Sequence, residues 1–259
     1  IDTGDWVIVN DEEQAEFNHL KERREEKRRE RDDALLRELD GVSSQINRKD
    51  FEVSFTQEDG PGGKKVYVID QELPDQFYAI KKLESNLASL YRLKPANRDE
   101  VMKQLIGMIS DGFKYHVLRT DISSFFESIP HDRILKKLKE DQLLSQKSLR
   151  LISGILFRYA RLAGTPGIGL PRGLGISSYL SELYMREFDQ HIKMLGEVVF
   201  YARYVDDIVI LFAPLPGADV RVKRPKIRDY LSDISLTMNE TAQKTKESPV
   251  DSQGIPDAK

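Results

Sequence analysis

The sequence predicts an α+β fold, a small set of strands backed by several longer helices. Three observations carry this. Apolar residues recur at helical spacing both before and after a short β-rich run at residues 115–122. Two further apolar runs, 198–204 and 208–212, are separated only by Val205-Asp206-Asp207, the pattern of a hairpin with carboxylates at its turn. Strands and helices also follow one another without a strict βαβ rhythm, which favours an antiparallel sheet over a doubly wound parallel one.

The elements follow in chain order. Residues 11–40 hold 12 acids and 8 bases, with a dense run from Lys21 to Arg31, which suits a long helix held by i,i+4 pairs. Phe17, Leu20, Leu35, Leu36 and Leu39 give it a thin apolar stripe, the mark of an exposed or partner-facing helix. Gly60-Pro61-Gly62-Gly63 is a turn, and the β-formers after it make residues 51–69 a hairpin. Phe77, Ile80, Leu83, Leu87 and Leu90 mark one helix, and Val101, Leu105, Ile106 and Ile109 a second that opens after Asn97. Residues 115–122 read as a central strand, 131–144 and 146–159 as helices, 164–175 as a glycine- and proline-rich loop, and 176–195 as a third long helix leading into the hairpin. There is no internal repeat.

Composition narrows the function classes. The 39% hydrophobic and 32% charged content suits a soluble globular protein. No apolar stretch approaches the roughly 20 residues of a spanning helix and no signal peptide opens the chain, so a cytoplasmic protein without membrane contact is expected. The start at Ile1 and the short remainder after the last motif lead us to expect a missing C-terminal region. Absence of cysteine excludes disulfides, thiolate metal sites and thiol nucleophiles. His19, His116, His131 and His191 show no paired ligand spacing, which leaves oxygen ligands for any metal. Net charge is −3, yet residues 77–172 carry 17 Lys/Arg against 9 Asp/Glu, an excess that suits either a solvated basic face or a grip on phosphates.

The chemistry this pattern suits best is in-line phosphoryl displacement, in which two divalent ions about 3.5–4 Å apart stabilise both the attacking and the leaving oxygen. Magnesium needs hard oxygen ligands on rigid elements and leaves positions for substrate phosphates. Asp121 at a strand end and Asp206 at a hairpin turn meet that need if their strands are neighbours in one antiparallel sheet. Each alone has an ordinary reading, as a turn residue or a helix cap. Ser177, Ser178 and Ser181 near Asp189 do not make a hydrolase, because no nucleophile elbow or placed histidine accompanies them.

Taken together, Asp-Ile-Ser-Ser-Phe-Phe-Glu-Ser-Ile (121–129), Gly-Leu-Pro-Arg-Gly-Leu-Gly-Ile-Ser (169–177) and Phe-Tyr-Ala-Arg-Tyr-Val-Asp-Asp-Ile-Val-Ile (200–210) resemble motifs A, B and C of reverse transcriptases. Tyr204-Val205-Asp206-Asp207 matches that family's Tyr-x-Asp-Asp signature. The resemblance covers roughly residues 77–246. The wording at 91–98, within motif A and at 180–189 is similar to bacterial defence-associated and abortive-infection reverse transcriptases. Arg172 stands where retroviral, intron and retron enzymes usually carry glutamine.

The resemblance implies a right-hand polymerase with fingers and palm, the antiparallel palm sheet backed by helices. It divides the chain into an N-terminal charged helix and hairpin extension (1–76), fingers helices (77–114), a palm with motifs A to D (115–246) and a tail (247–259) with the thumb apparently missing. Asp121, Asp206 and Asp207 would be the catalytic carboxylates and, with the Ile122 carbonyl, would hold two Mg2+ or Mn2+ ions. Phe126 would exclude a ribose 2′-hydroxyl, unless it and Phe125 are both core. Pro171, Arg172, Gly173 and Tyr204 would line the nucleotide pocket. Lys244 resembles the motif D lysine that protonates pyrophosphate, though a solvated lysine fits equally. Lys81, Lys82, Arg92, Lys94 and Arg98 would grip template or triphosphate, or simply face solvent. Implied partners are dNTPs, an RNA template or non-coding RNA, the DNA product, and a protein partner or second copy. Template-independent DNA synthesis, RNA-dependent RNA synthesis and an idle RNA-binding scaffold stand as alternatives.

Overall fold

A computed structural model describes residues 10–70, 72–213 and 223–250. The chain divides into two units, 1–51 and 52–259. In the first, α1 (Asp11–Ile46) begins where the Asn10 side chain accepts the Glu13 N–H at 2.9 Å, with three acids in the first turn. It has no buried residue, and Phe17, Leu20, Leu35 and Leu36 are exposed.

The second unit opens with the expected hairpin, β1 (Thr56–Asp59) and β2 (Lys65–Val68), paired antiparallel around the glycine-rich tip. This hairpin belongs to the same unit as the sheet. Two helices follow, α2 (Pro74–Leu90) and α3 (Arg98–Ile109), the latter capped by Asn97. Then come β3 (Tyr115–Asp121), one helical turn α4 (Phe125–Ser128), α5 (His131–Glu140), α6 (Gln146–Ala163) and α7 (Gly175–Lys193). The helix expected to reach residue 144 stops at Glu140, because Gln142 takes a positive φ of 52° that helical backbone excludes.

β4 (Val198–Tyr204) and β5 (Asp207–Phe212) form the second hairpin, and α8 (Lys223–Asp233) and β6 (Lys246–Val250) complete the described chain. Neither α8 nor β6 is read from the sequence. The sheet order is β4-β5-β3-β6, every pair antiparallel. This is the mixed helical and antiparallel α+β architecture that the sequence predicted.

Strand alternation explains how the sheet carries both a core and a site. Leu118 and Thr120 of β3 stand opposite Ile210 and Ile208 of β5, and all four are fully buried. The other face starts at Val117 and Leu211, which pack with Leu105, Met108 and Ile109 of α3. It ends at Asp121 and Asp207, so one face is apolar at one end and acidic at the other.

Candidate active site

The register brings the predicted carboxylates together. Asp121 is the direct partner of Asp207, and Tyr204 is also paired with Asp207, which leaves Val205 and Asp206 as a two-residue turn. Asp207 is therefore the first residue of β5 and not part of the turn. Ile122, fully buried, donates its N–H to the Asp206 carbonyl at 3.0 Å, tying the end of β3 to the turn. On the other side the Asp121 carbonyl accepts the Asn239 N–H at 2.9 Å, and Ile122 bridges Met238. Val205 has a φ of +59°, a strained state for a β-branched residue.

Asp121 is 7% exposed. One carboxylate oxygen receives the Lys244 ammonium at 3.0 Å, and the other is buried without a hydrogen-bond partner among the described residues. Burial pushes the Asp206 carboxyl above its ordinary value, its own backbone N–H opposes this, Asp207 and Asp121 raise it further, and Lys64 pulls it down. Asp207 is half-exposed, with Arg119 at 3.8 Å. Lys244 is held above its ordinary value, first by its hydrogen bond to Asp121 and then by the charge of that group. Its position follows from a compact turn in which Lys244 and Thr245 N–H groups both bond the Thr241 carbonyl, while the Thr245 hydroxyl meets that of buried Thr120 at 2.6 Å.

These features suit a cation. A buried carboxylate oxygen lacks a partner, neighbouring carboxylates repel one another, and a lysine offsets part of the charge. Among the described residues no group of three or more Asp, Glu, His or Cys side chains is placed to hold a metal ion. Magnesium does not need one, since it takes one or two carboxylates and completes its shell with water and substrate phosphates.

The loop at 169–175 supplies a second wall. The Phe126 carbonyl accepts the Leu170 N–H at 2.7 Å, which fixes this loop to α4. Phe125 is core at 1% exposure, whereas Phe126 is half-buried, so the two neighbours divide between interior and surface. The Arg172 guanidinium lies 5.2 Å from the centre of the Phe126 ring and pairs with Glu127 at 3.0 Å. The Arg172 carbonyl accepts the Tyr67 N–H at 2.7 Å, and Pro171 accepts the buried Ser177 hydroxyl. Gly173, at φ +100°, lies so near β2 that an added Cβ would stand 2.8 Å from the Tyr67 carbonyl oxygen. Tyr204, at the end of β4, is 38% exposed.

Not every predicted residue joins this cluster. Lys81 pairs with Glu84 on its own helix at 2.9 Å, and Lys82 on α2, Arg92 and Lys94 on the chain between α2 and α3, and Arg98 at the start of α3 are exposed. The sequence reading missed Lys64, whose charge reaches Asp206 from the glycine-rich hairpin, and Glu127, which holds Arg172. The Lys64-Lys65 pair after four turn residues was visible, but its destination depends on a contact between β2 and a loop more than a hundred residues later. Arg203 was missed as well. It is buried at 6% exposure beneath the carboxylate turn.

Comparison with known proteins follows this geometry. Residues 77–252 match the family described as reverse transcriptase (RNA-dependent DNA polymerase), a span that includes all three carboxylates, the 171–173 loop and Lys244. None of the curated proteins matches the chain. Among the 73 matching chains of solved structures is apo telomerase from Candida Tropicalis truncated from its C-terminal domain. It aligns at 13% identity and a TM-score of 0.49, over 79% of this chain and 51% of that one. The chain thus spans about half the length of that structure.

Proposed function

Because the chain belongs to the reverse transcriptase family of RNA-dependent DNA polymerases, we propose that it adds deoxynucleotides to a 3′-hydroxyl under the direction of an RNA template, with Asp121, Asp206 and Asp207 as its catalytic carboxylates. One observation carries this reading. The pairing of β3 with β5 sets Asp121 against Asp207 and ties Ile122 to Asp206, with a buried Asp121 oxygen left for a ligand. Two divalent ions, Mg2+ or Mn2+, held by these carboxylates and the Ile122 carbonyl, would supply charge stabilisation at the attacking and leaving oxygens.

The other residues take roles that follow from their surroundings. Lys244 is half-exposed and carries its proton beside Asp121, where it donates to the departing pyrophosphate. Lys64 draws the triphosphate toward Asp206, and Tyr204 packs under the nucleotide or the primer end. Phe126 excludes a 2′-hydroxyl, supported by its half-exposed ring and the Arg172 lying against it. Pro171 to Gly173 form the pocket wall. Lys81, Lys82, Arg92, Lys94 and Arg98 contact the template backbone. The template is an RNA, with a non-coding RNA as one candidate, the setting is antiphage defence in the cytoplasm, and α1 meets a protein partner or a second copy. Only the wording of the motifs supports the defence role.

The test is incorporation of labelled dNTPs by purified protein in Mg2+, with RNA added or omitted. Incorporation should require RNA and should fall by at least about a hundredfold in the D206N/D207N double variant. Synthesis unchanged without RNA would replace templated by template-independent polymerisation, and activity surviving both substitutions would sink the carboxylate assignment. F126A should raise ribonucleotide use relative to deoxynucleotide use by about tenfold, and an unchanged ratio removes the gate role. Ribonucleotides preferred by the unaltered protein would favour an RNA-dependent RNA polymerase.

A further inference from the structure

Arg203 stands two residues before the turn that carries Asp206, and its side chain is 3% exposed. An arginine has five N–H donors. All five are used here. Nε donates to Asp189 Oδ1 at 2.9 Å and Nη2 to Asp189 Oδ2 at 2.8 Å. Nη2 also donates to Glu182 Oε2 at 2.7 Å, and Nη1 to Glu182 Oε1 at 3.1 Å. The fifth bond runs from Nη1 to the Val205 carbonyl at 2.9 Å. Glu182 and Asp189 are seven residues apart on α7, two helical turns, so both carboxylates face the same way. Tyr201, on the same face of β4 as Arg203, adds a hydroxyl to Asp189 at 2.6 Å.

Four of the five bonds fasten the guanidinium to α7, and the fifth fastens it to the one residue of the turn whose backbone is strained. Valine at φ +59° returns to ordinary backbone geometry unless something holds it. Asp206 is the next residue, and its carbonyl makes the bond to Ile122, so relaxation of Val205 would turn Asp206 away from Asp121. The same helix, through Ser177, holds the Pro171 carbonyl at 2.7 Å. α7 is thus a common frame for the loop and the carboxylate turn.

We propose that Arg203 is a positioning residue, a clamp that transmits the rigidity of α7 to Val205 and so fixes Asp206 and Asp207 where they bind divalent metal. The inference rests on the proposed polymerase reading for its purpose, but metal binding tests it separately. Lysine has three donors on a single nitrogen and cannot reproduce the fork. Glycine at 205 adopts φ +59° without strain and removes the need for the clamp.

The experiment is a Mn2+ titration of the full chain, followed by the electron paramagnetic resonance of free Mn2+, with thermal unfolding measured in parallel. Wild type, R203K, V205G and R203K/V205G are compared, with D206N/D207N as the baseline. R203K should weaken Mn2+ binding about tenfold, the size expected when a strained residue is released. R203K/V205G should recover most of that affinity while its unfolding temperature stays lowered by the broken ion pairs. A lower unfolding temperature with unchanged Mn2+ affinity, or a double variant that binds no better than R203K, would overturn the clamp. So would wild type that binds no better than D206N/D207N. E182Q keeps the Asp189 pair, and it serves if R203K does not fold. It should weaken Mn2+ binding about threefold, and unchanged affinity there would also overturn the proposal. The expected affinities in a protein that incorporates no dNTP would leave the clamp standing and remove the polymerase reading.

Discussion

His131 shows how a single side chain outside the carboxylate cluster holds the loop that leads to residues 171–173. It begins α5, is 7% exposed, and donates from Nε2 to the Gly169 carbonyl, while its backbone N–H bonds the Gly167 carbonyl at 2.9 Å. Burial pushes its ring below the ordinary histidine value, against smaller opposing effects of the Gly169 bond and of Asp132. The folded protein therefore holds the neutral ring, whereas the unfolded chain takes a proton near pH 6.5. Stability from this site is complete above that pH and is lost as pH falls below it, by at most about 1.4 kcal/mol per pH unit. The unfolding temperature should drop between pH 6.5 and 5, and H131Q, whose amide can still donate to Gly169 but does not titrate, should flatten that slope. An identical slope in H131Q would assign the acid sensitivity to other groups.

At the scale of elements, the union of the β1–β2 hairpin with the 169–175 loop is the contact on which the proposed nucleotide pocket depends. Tyr67 donates to Arg172, and Gly173 lets the two backbones approach. Alanine at 173 would carry a Cβ into the Tyr67 carbonyl at φ +100°, so G173A should cost on the order of 1–3 kcal/mol and raise the KM for dNTP as the hairpin is displaced. Unchanged KM and unfolding temperature would show that the hairpin does not close the pocket. This union also marks where the sequence stopped being informative. β3 and the β4–β5 hairpin were legible because alternation and a two-residue turn are local signals, and those elements bear the carboxylates. β6 was not, since Pro249 argues against a central strand and is tolerated only because β6 lies at the sheet edge. α8 was missed because Ile227 and Leu231 are its only buried apolar residues. Phe125 and Phe126 could not be told apart by spacing, and only packing sent the first inward. Arg203 reads as an ordinary polar strand residue until α7 is set beneath it.

For the whole molecule, the division at residue 51 separates two kinds of stability. The second unit has a sheet with a buried face and holds the buried apolar residues, which supply cooperative unfolding. α1 has no buried residue, and its order comes from the Asn10 cap, its acidic first turn and exposed pairs such as Arg28 with Asp32 at 3.9 Å, each a few tenths of a kcal/mol at most. Removing the residues of α1 therefore takes away helix but no core. The shortened chain should unfold within about 1 kcal/mol of the full one, a shift of less than about 4 °C for a domain of this size. Far-ultraviolet circular dichroism should fall by the signal of a 36-residue helix. A larger thermal shift would mean that the apolar stripe of α1 is covered in solution, either by the rest of the chain or by a second copy. Dependence of that shift on protein concentration would select the second copy.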